Sequence, residues 1–273
     1  MRASAAKCGS TDSAMSEIVA EASIDAFHRG RFFLVQPRQD GHRAGMDAMV
    51  LAAAAPSPFD GLVADLGSGA GGAAFAVLAR CPRARAQLVE REPAMADFAR
   101  RTIEFDANAN LAARASLLVA DVSLSGRARI AAGLADRSVD FAIMNPPFNE
   151  ARDRQTPDAL KKAAHVMEDG LLERWIRTAA AIVRPSGALA LIARPQSLAD
   201  ILQAMPGRFG GLEVRAIHPR PRSAAIRVVV RGRRGSRKAL SLVAPLFLHE
   251  ADGEGFSAEA DAICNGRASL FGD

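Results

Sequence analysis

Asn145, Pro146, Pro147 and Phe148 follow the apolar run "VDFAIM". A strand that only had to stop could use Gly, Asp or a single Pro, so two prolines between an amide and an aromatic ask for a chemical reason. An exocyclic amine on an aromatic base is a poor nucleophile because its lone pair is delocalised into the ring. The side-chain oxygen of Asn145 and the backbone carbonyl of Pro146 are acceptors that can hold the amine hydrogens and favour a tetrahedral nitrogen. Two prolines, Pro146 and Pro147, stiffen the loop, so these acceptors cost little entropy to hold in place. Phe148 supplies an aromatic face for a base extruded from its stack. The plainer reading is a proline turn with Phe148 in the core, and what lies upstream decides between them.

Upstream, the run "LVADLGSGAGG" ends a strand in a glycine loop. Gly67, Gly69 and Gly72 satisfy the G-x-G-x-x-G spacing of a dinucleotide site, and Glu90, closing the next strand, could hold a ribose in either an NAD enzyme or a methyltransferase. Two features separate these readings. Asp65 stands two residues before the first glycine, where a carboxylate meets a cationic ligand end and repels a pyrophosphate. S-adenosylmethionine carries an ammonium and a sulfonium and no phosphate. The third strand then ends in Asp121, placed to accept from an adenine amine. Three successive strand ends carry acids on one edge, where open parallel sheets bind ligands.

The elements that position these residues alternate. Apolar strands "LVADLG", "AQLVE", "SLLVAD", "VDFAIMN" and "ALALIAR" are separated by helical stretches, the pattern of a parallel sheet covered on both faces. After a helix near Ser197 to Met205, "LEVRAIH", "AIRVVVRG" and "ALSLVAPLFLH" follow with short turns, and an antiparallel edge is expected there. The expected organisation is a disordered tail over 1–22, an N-terminal extension or lid over 23–60, the main domain over 61–250 and a C-terminal tail over 251–273. With 49% hydrophobic residues the 273-residue chain holds a proper core. Three well-separated cysteines, Cys8, Cys81 and Cys264, form no CxxC, so neither a disulfide framework nor a metal site is expected. No apolar stretch is long enough to span a bilayer, and no membrane partner and a cytoplasmic location are expected. A net charge of +5 favours a polyanionic partner without identifying it.

With the glycine loop, the three acids and Asn-Pro-Pro-Phe in view, the sequence resembles the class I S-adenosylmethionine-dependent methyltransferases, in the amino-methylating branch marked by (Asn/Asp)-Pro-Pro-(Tyr/Phe). Within it, "QPRQDGHRAGMDAMVLAAA", "AHVMEDGLLERWIRTAAAIVRPSGALALI" and "HPRPRSAAIRVVVRGRRG" resemble the bacterial tRNA(Val) adenine-N6 methyltransferase family over roughly residues 30 to 250. The resemblance implies an α/β, doubly wound, mostly parallel seven-stranded Rossmann-like sheet with an antiparallel edge and a short N-terminal extension. It implies S-adenosyl-L-methionine as cofactor, contacted by Asp65, Gly67, Ser68, Gly69, Gly71, Glu90, Arg91, Asp121 and Asn145. Asn145, Pro146, Pro147 and Phe148 become the target-amine site, and RNA, with tRNA favoured, the partner. His42 stands where that family commonly has an aromatic.

Between Pro206 and His249 there are ten Lys or Arg and one acid, Glu213, which suits a phosphate backbone. If "LEVRAIH" runs parallel to the strand ending in Asn145, Arg220 and Arg222 emerge at the catalytic edge and contact substrate, whereas Arg233, Arg234, Arg237 and Lys238 lie at the opposite one. Arg43 and Asp47 either close over the cofactor or cap a helix. His165 either touches substrate or caps the next helix. Trp175 reads as core, and 149–165 as a mobile substrate loop. Other acceptors sharing the motif are an rRNA guanine-N2, an rRNA adenine-N6 and a protein glutamine. An NAD-binding oxidoreductase and a non-catalytic module retaining the pocket are the readings from other classes.

Overall fold

A computed structural model of the chain describes residues 22–38, 43–147 and 170–273. An antiparallel hairpin, β1 (Ala22–Phe27) and β2 (Phe32–Pro37), precedes α1 (Met46–Ala52). The alternating part follows: β3 (Leu62–Leu66), α2 (Gly72–Arg80), β4 (Arg85–Glu90), α3 (Pro93–Glu104), the short α4 (Ala109–Ala112), β5 (Ala115–Val119), α5 (Gly126–Ala131) and β6 (Val139–Met144). Then come α6 (Leu171–Ile182), β7 (Val183–Ala193), α7 (Leu198–Ala204), β8 (Phe209–His218), β9 (Arg227–Arg234), β10 (Ser241–Phe247) and α8 (Ala258–Cys264).

Eight strands form the main sheet in the order β10-β8-β9-β7-β6-β3-β4-β5, one more than the seven expected. The pairings β5-β4-β3-β6-β7 are all parallel, as the continuous apolar runs require. β9 is antiparallel to both neighbours, so β8 runs with β6 and β7. The extra strand is β10, which the sequence pattern put in an antiparallel edge and which pairs parallel to β8. The chain reverses after β8 and again before Ser241, so β10 runs in the direction of β8, and it lies against that strand and not against β9; side-chain alternation does not say which neighbour a strand takes.

Successive residues along the strands feed two cores. Val63, Phe141 and Ile143 face Phe32, Leu51 and Phe75 from the hairpin, α1 and α2. Ala64, Leu66 and Met144 face Trp175, Ile176 and Ile201 from α6 and α7. This alternation follows from the period of two in a strand whose faces are both covered. The segment read as a C-terminal tail carries α8, capped by the Ser257 hydroxyl accepting from the Ala260 N–H at 3.1 Å, and Leu270 is fully buried in the first core. No helix among the described residues is long and apolar enough to cross a membrane.

Candidate active site

The C-terminal ends of β3, β4, β5 and β6 lie side by side and bring Asp65, Glu90, Asp121 and Asn145 to one edge. Asp65 is 3% exposed, and its Oδ2 accepts from the Ala74 N–H in the first turn of α2 at 3.0 Å. Burial pushes its carboxyl up to about 7; the Ala74 hydrogen bond opposes this and the charge of Glu90 adds to it. Glu90 staples the glycine loop to its own strand end, Oε2 accepting from Gly69 N–H and Oε1 from Glu92 N–H, both at 2.9 Å. The Gly67 and Ser68 N–H groups both donate to the Val89 carbonyl, at 2.8 and 3.0 Å.

Gly67 and Gly71 have φ of 74° and 93°, a region that side-chain-bearing residues rarely adopt. A Cβ on Gly67 would stand 2.5 Å from the Trp175 ring, so the loop rests directly on that indole. Trp175 is buried as expected, but its role as the floor of the loop has no sequence signal, since the two residues are brought together only by the packing of α6 on the sheet. Asp121 Oδ1 accepts from Ser123 N–H at 2.7 Å, and its Oδ2 is 3.8 Å from the Arg91 guanidinium. Arg91 therefore reaches the third acid.

Asn145 follows β6, and its Oδ1 is buried with no hydrogen-bond partner among the described residues. The Ser68 hydroxyl is in the same condition. A buried acceptor without a donor costs about 1–3 kcal/mol, so these atoms point to a ligand. Asn145, Asp65, Gly67, Ser68, Gly69 and Asp47 line one cavity of about 280 Å³. Arg43, also at its wall, is 2.7 Å from Asp25 of the hairpin. Pro146 is buried and Pro147 half-buried. Phe148, His165, His42 and the 149–165 segment lie outside the described residues.

β8 delivers Arg220 and Arg222 to this same edge, three strands from β6, about 14 Å at ordinary strand spacing. The two differ in circumstance. The Arg220 guanidinium donates to the carbonyls of Glu250 and Gly253 at 2.8 and 2.7 Å, bracing the loop after β10, while Arg222 is exposed. Arg233 and Arg234 sit at the opposite edge, donating to the carbonyls of Ser186 and Val183. Arg227, at the start of β9, was not singled out from the sequence. Its Nε donates to Asp47 Oδ2 at 2.7 Å and joins the cavity wall to the cationic half of the edge.

The model of the methyltransferase small domain matches residues 45–219, from the wall of the cavity to the turn after β8. The chain belongs to this methyltransferase family. Its cofactor is S-adenosylmethionine, and the site fits one: buried acids for a cationic end, a left-handed glycine turn for close approach, and Ser68 and Asn145 oxygens that have no partner among the described residues. Among solved structures, this methyltransferase is 44% identical to a predicted O-methyltransferase from Agrobacterium tumefaciens, with a TM-score of 0.72, over 82% of this chain and 97% of the other. TYW2 of M. jannaschii in complex with AdoMet shares the fold at 11% identity and a TM-score of 0.54, over 78% of this chain and 85% of that one. A curated relative from Porphyromonas gingivalis, a tRNA1(Val) (adenine(37)-N6)-methyltransferase, is 29% identical over 163 residues. That match spans 58% of this chain and 61% of the relative.

Proposed function

We propose that the enzyme transfers a methyl group to the exocyclic N6 of an adenine in RNA, with a tRNA as the favoured substrate. The observation that carries this reading is the Asn145 Oδ1, buried beside the cofactor cavity with no hydrogen-bond partner among the described residues. An amide oxygen accepts a hydrogen bond but cannot remove a proton at neutral pH. It therefore suits an amine, which keeps its hydrogens through the transfer, better than a hydroxyl, which must lose one. The relative from Porphyromonas gingivalis bears a name that agrees with adenine N6.

The cofactor supplies an electrophilic methyl on a sulfonium. Asp65, Glu90 and Asp121, with Gly67, Ser68, Gly69, Gly71 and Arg91, hold and orient it. The Asn145 Oδ1 and the Pro146 carbonyl accept from the two amine hydrogens and draw the nitrogen lone pair out of conjugation. Pro147 restricts the loop, and Phe148 stacks the base. The methylated nitrogen is acidic enough to release its proton to water, so no strong base is needed. Arg222 meets a phosphate of the substrate strand, with Arg220 holding the adjoining loop.

The test is methylation of unmodified tRNA and rRNA transcripts with isotopically labelled methyl donor, followed by nucleoside mass spectrometry. Labelled N6-methyladenosine is expected from tRNA. Label only in N2-methylguanosine, or only in a glutamine of added protein, overturns the assignment in favour of that acceptor.

A further inference from the structure

Asp47 and Arg227 stand 180 residues apart in sequence and make one ion pair of 2.7 Å between two functional regions. Asp47 lines the cavity that also holds Asp65 and Asn145. Arg227 opens β9 opposite Ile217, next to the turn that carries Arg220 and Arg222. Its Nη1 also donates to the Ile226 carbonyl at 2.9 Å. The side chains are 20% and 27% exposed, so the pair is reachable from solvent and is not a fully buried strut. The edge is divided in charge: Asp65, Glu90 and Asp121 end β3, β4 and β5, whereas Arg194, Arg227, Arg220 and Arg222 lie at β7, β9 and β8. The Asp47–Arg227 pair spans the two halves.

We propose that this is an exchangeable ion pair that couples the two substrates. The cationic methyl donor draws Asp47, a phosphate of the RNA draws Arg227, and each ligand weakens the hold of the pair on the other's partner. Charge is conserved in the exchange, since one cation–anion pair becomes two. The sign of the coupling follows: RNA tightens the methyl donor, and by thermodynamic reciprocity the donor tightens RNA by the same factor. The RNA half of this inference rests on the function proposed above; the Asp47 half does not.

The experiment is calorimetric titration of S-adenosylmethionine into wild type, Arg227→Gln, Asp47→Asn and the double variant, first alone and then with a saturating tRNA transcript. Without RNA, Arg227→Gln is expected to bind the donor more tightly, by about two- to fivefold, because Asp47 loses its competing partner. Asp47→Asn is expected to bind it more weakly, and the double variant to follow Asp47→Asn. A merely structural tie would weaken binding in both single variants, and that result overturns the proposal even if the variants are partly destabilised. With RNA, the wild type is expected to gain up to the same roughly two- to fivefold in donor affinity, about the factor that Arg227→Gln gives without RNA, and the gain is expected to fall to near unity in each variant. RNA that binds with no gain in the wild type refutes the coupling alone. A wild type that binds no RNA, while the two single variants still shift donor affinity in opposite directions, refutes the RNA reading and leaves the Asp47 competition standing.

Discussion

Asp65 should cost the protein stability that Asn would not, and the cost should be pH-dependent. Its carboxyl is buried and held at about 7, against 3.8 when unfolded. Below 3.8 both states are protonated and there is no penalty. Between 3.8 and about 7 the unfolded chain ionises and the native one does not, so stability falls with rising pH, and above about 7 the penalty is constant. Integrating the two titrations between pH 5 and pH 8 gives a loss of about 2 to 3 kcal/mol attributable to this one group. The assay is urea unfolding of wild type and Asp65→Asn at both pH values. Asn carries its own cost, since only its oxygen matches the Ala74 N–H and its NH₂ needs an acceptor, but that cost does not vary with pH. The variant's stability relative to wild type should therefore rise by about 2 to 3 kcal/mol from pH 5 to pH 8. A difference that stays flat across this range refutes the assignment of a near-neutral pKa to Asp65. The same group should make wild-type cofactor affinity increase as pH rises through 7, a dependence lost in Asp65→Asn.

Asn145→Ala should lower kcat by at least about a hundredfold while leaving cofactor affinity near wild type, because the lost acceptor acts on the amine; equal losses of cofactor affinity would contradict that division. His28 is buried against Phe32 and Gly266, and burial, with Arg31 and Arg80 nearby, pulls its pKa from 6.5 down to about 4. The unfolded chain takes up this proton first, so up to about 3 kcal/mol of stability is lost as pH falls from 6.5 to about 4. His28→Gln should show a flatter acid limb in thermal melts between those values, and an unchanged limb would count against the proposal. Arg222→Ala should reduce the salt slope of RNA binding by about one, the loss of one phosphate contact, whereas Arg220→Ala should chiefly lower the melting temperature by loosening the 250–253 loop. A salt series on both variants, read against their melting curves, separates the two effects.

What the sequence made legible was whatever depends on local pattern. Asp65, Glu90 and Asp121 close apolar strands, and parallel pairing alone brings them to one edge, so their convergence followed from counting strand ends. The reach of β8 to the same edge rested on the condition that "LEVRAIH" runs parallel to β6, and the helical connection through α7 meets it. The neighbour of β10 was not legible, because its alternation is compatible with pairing to β9 or to β8. The cationic run from 206 to 249 was legible as charge but not as contacts. In the fold Arg215 donates to the Leu270 carbonyl and Glu259, Arg231 to Glu213 and Asp273, and Arg234 to Val183, which ties these guanidinium groups to the protein itself. Composition counts charges and says nothing of partners. Trp175 beneath Gly67 and Arg227 on Asp47 were invisible for the same reason: each is a single pair made by tertiary packing, with no periodicity to announce it.

The segment from Ser257 onward closes against the beginning of the fold. Leu270 N–H donates to the Ala53 carbonyl at 2.6 Å, Ser57 N–H to the Asp273 carbonyl at 2.8 Å, and Asp261 meets Arg29 of the hairpin turn at 2.9 Å. Leu270 and Ile263 complete the core that α1 and α2 began. During synthesis this has a consequence for timing. The cofactor half of the sheet, β3 to β6, emerges from the ribosome early, yet the apolar face of α1 waits for residues made some two hundred positions later. Contacts that span this much of the chain carry a high loop-closure cost, so docking of this segment is expected to be slower than pairing within β3 to β6.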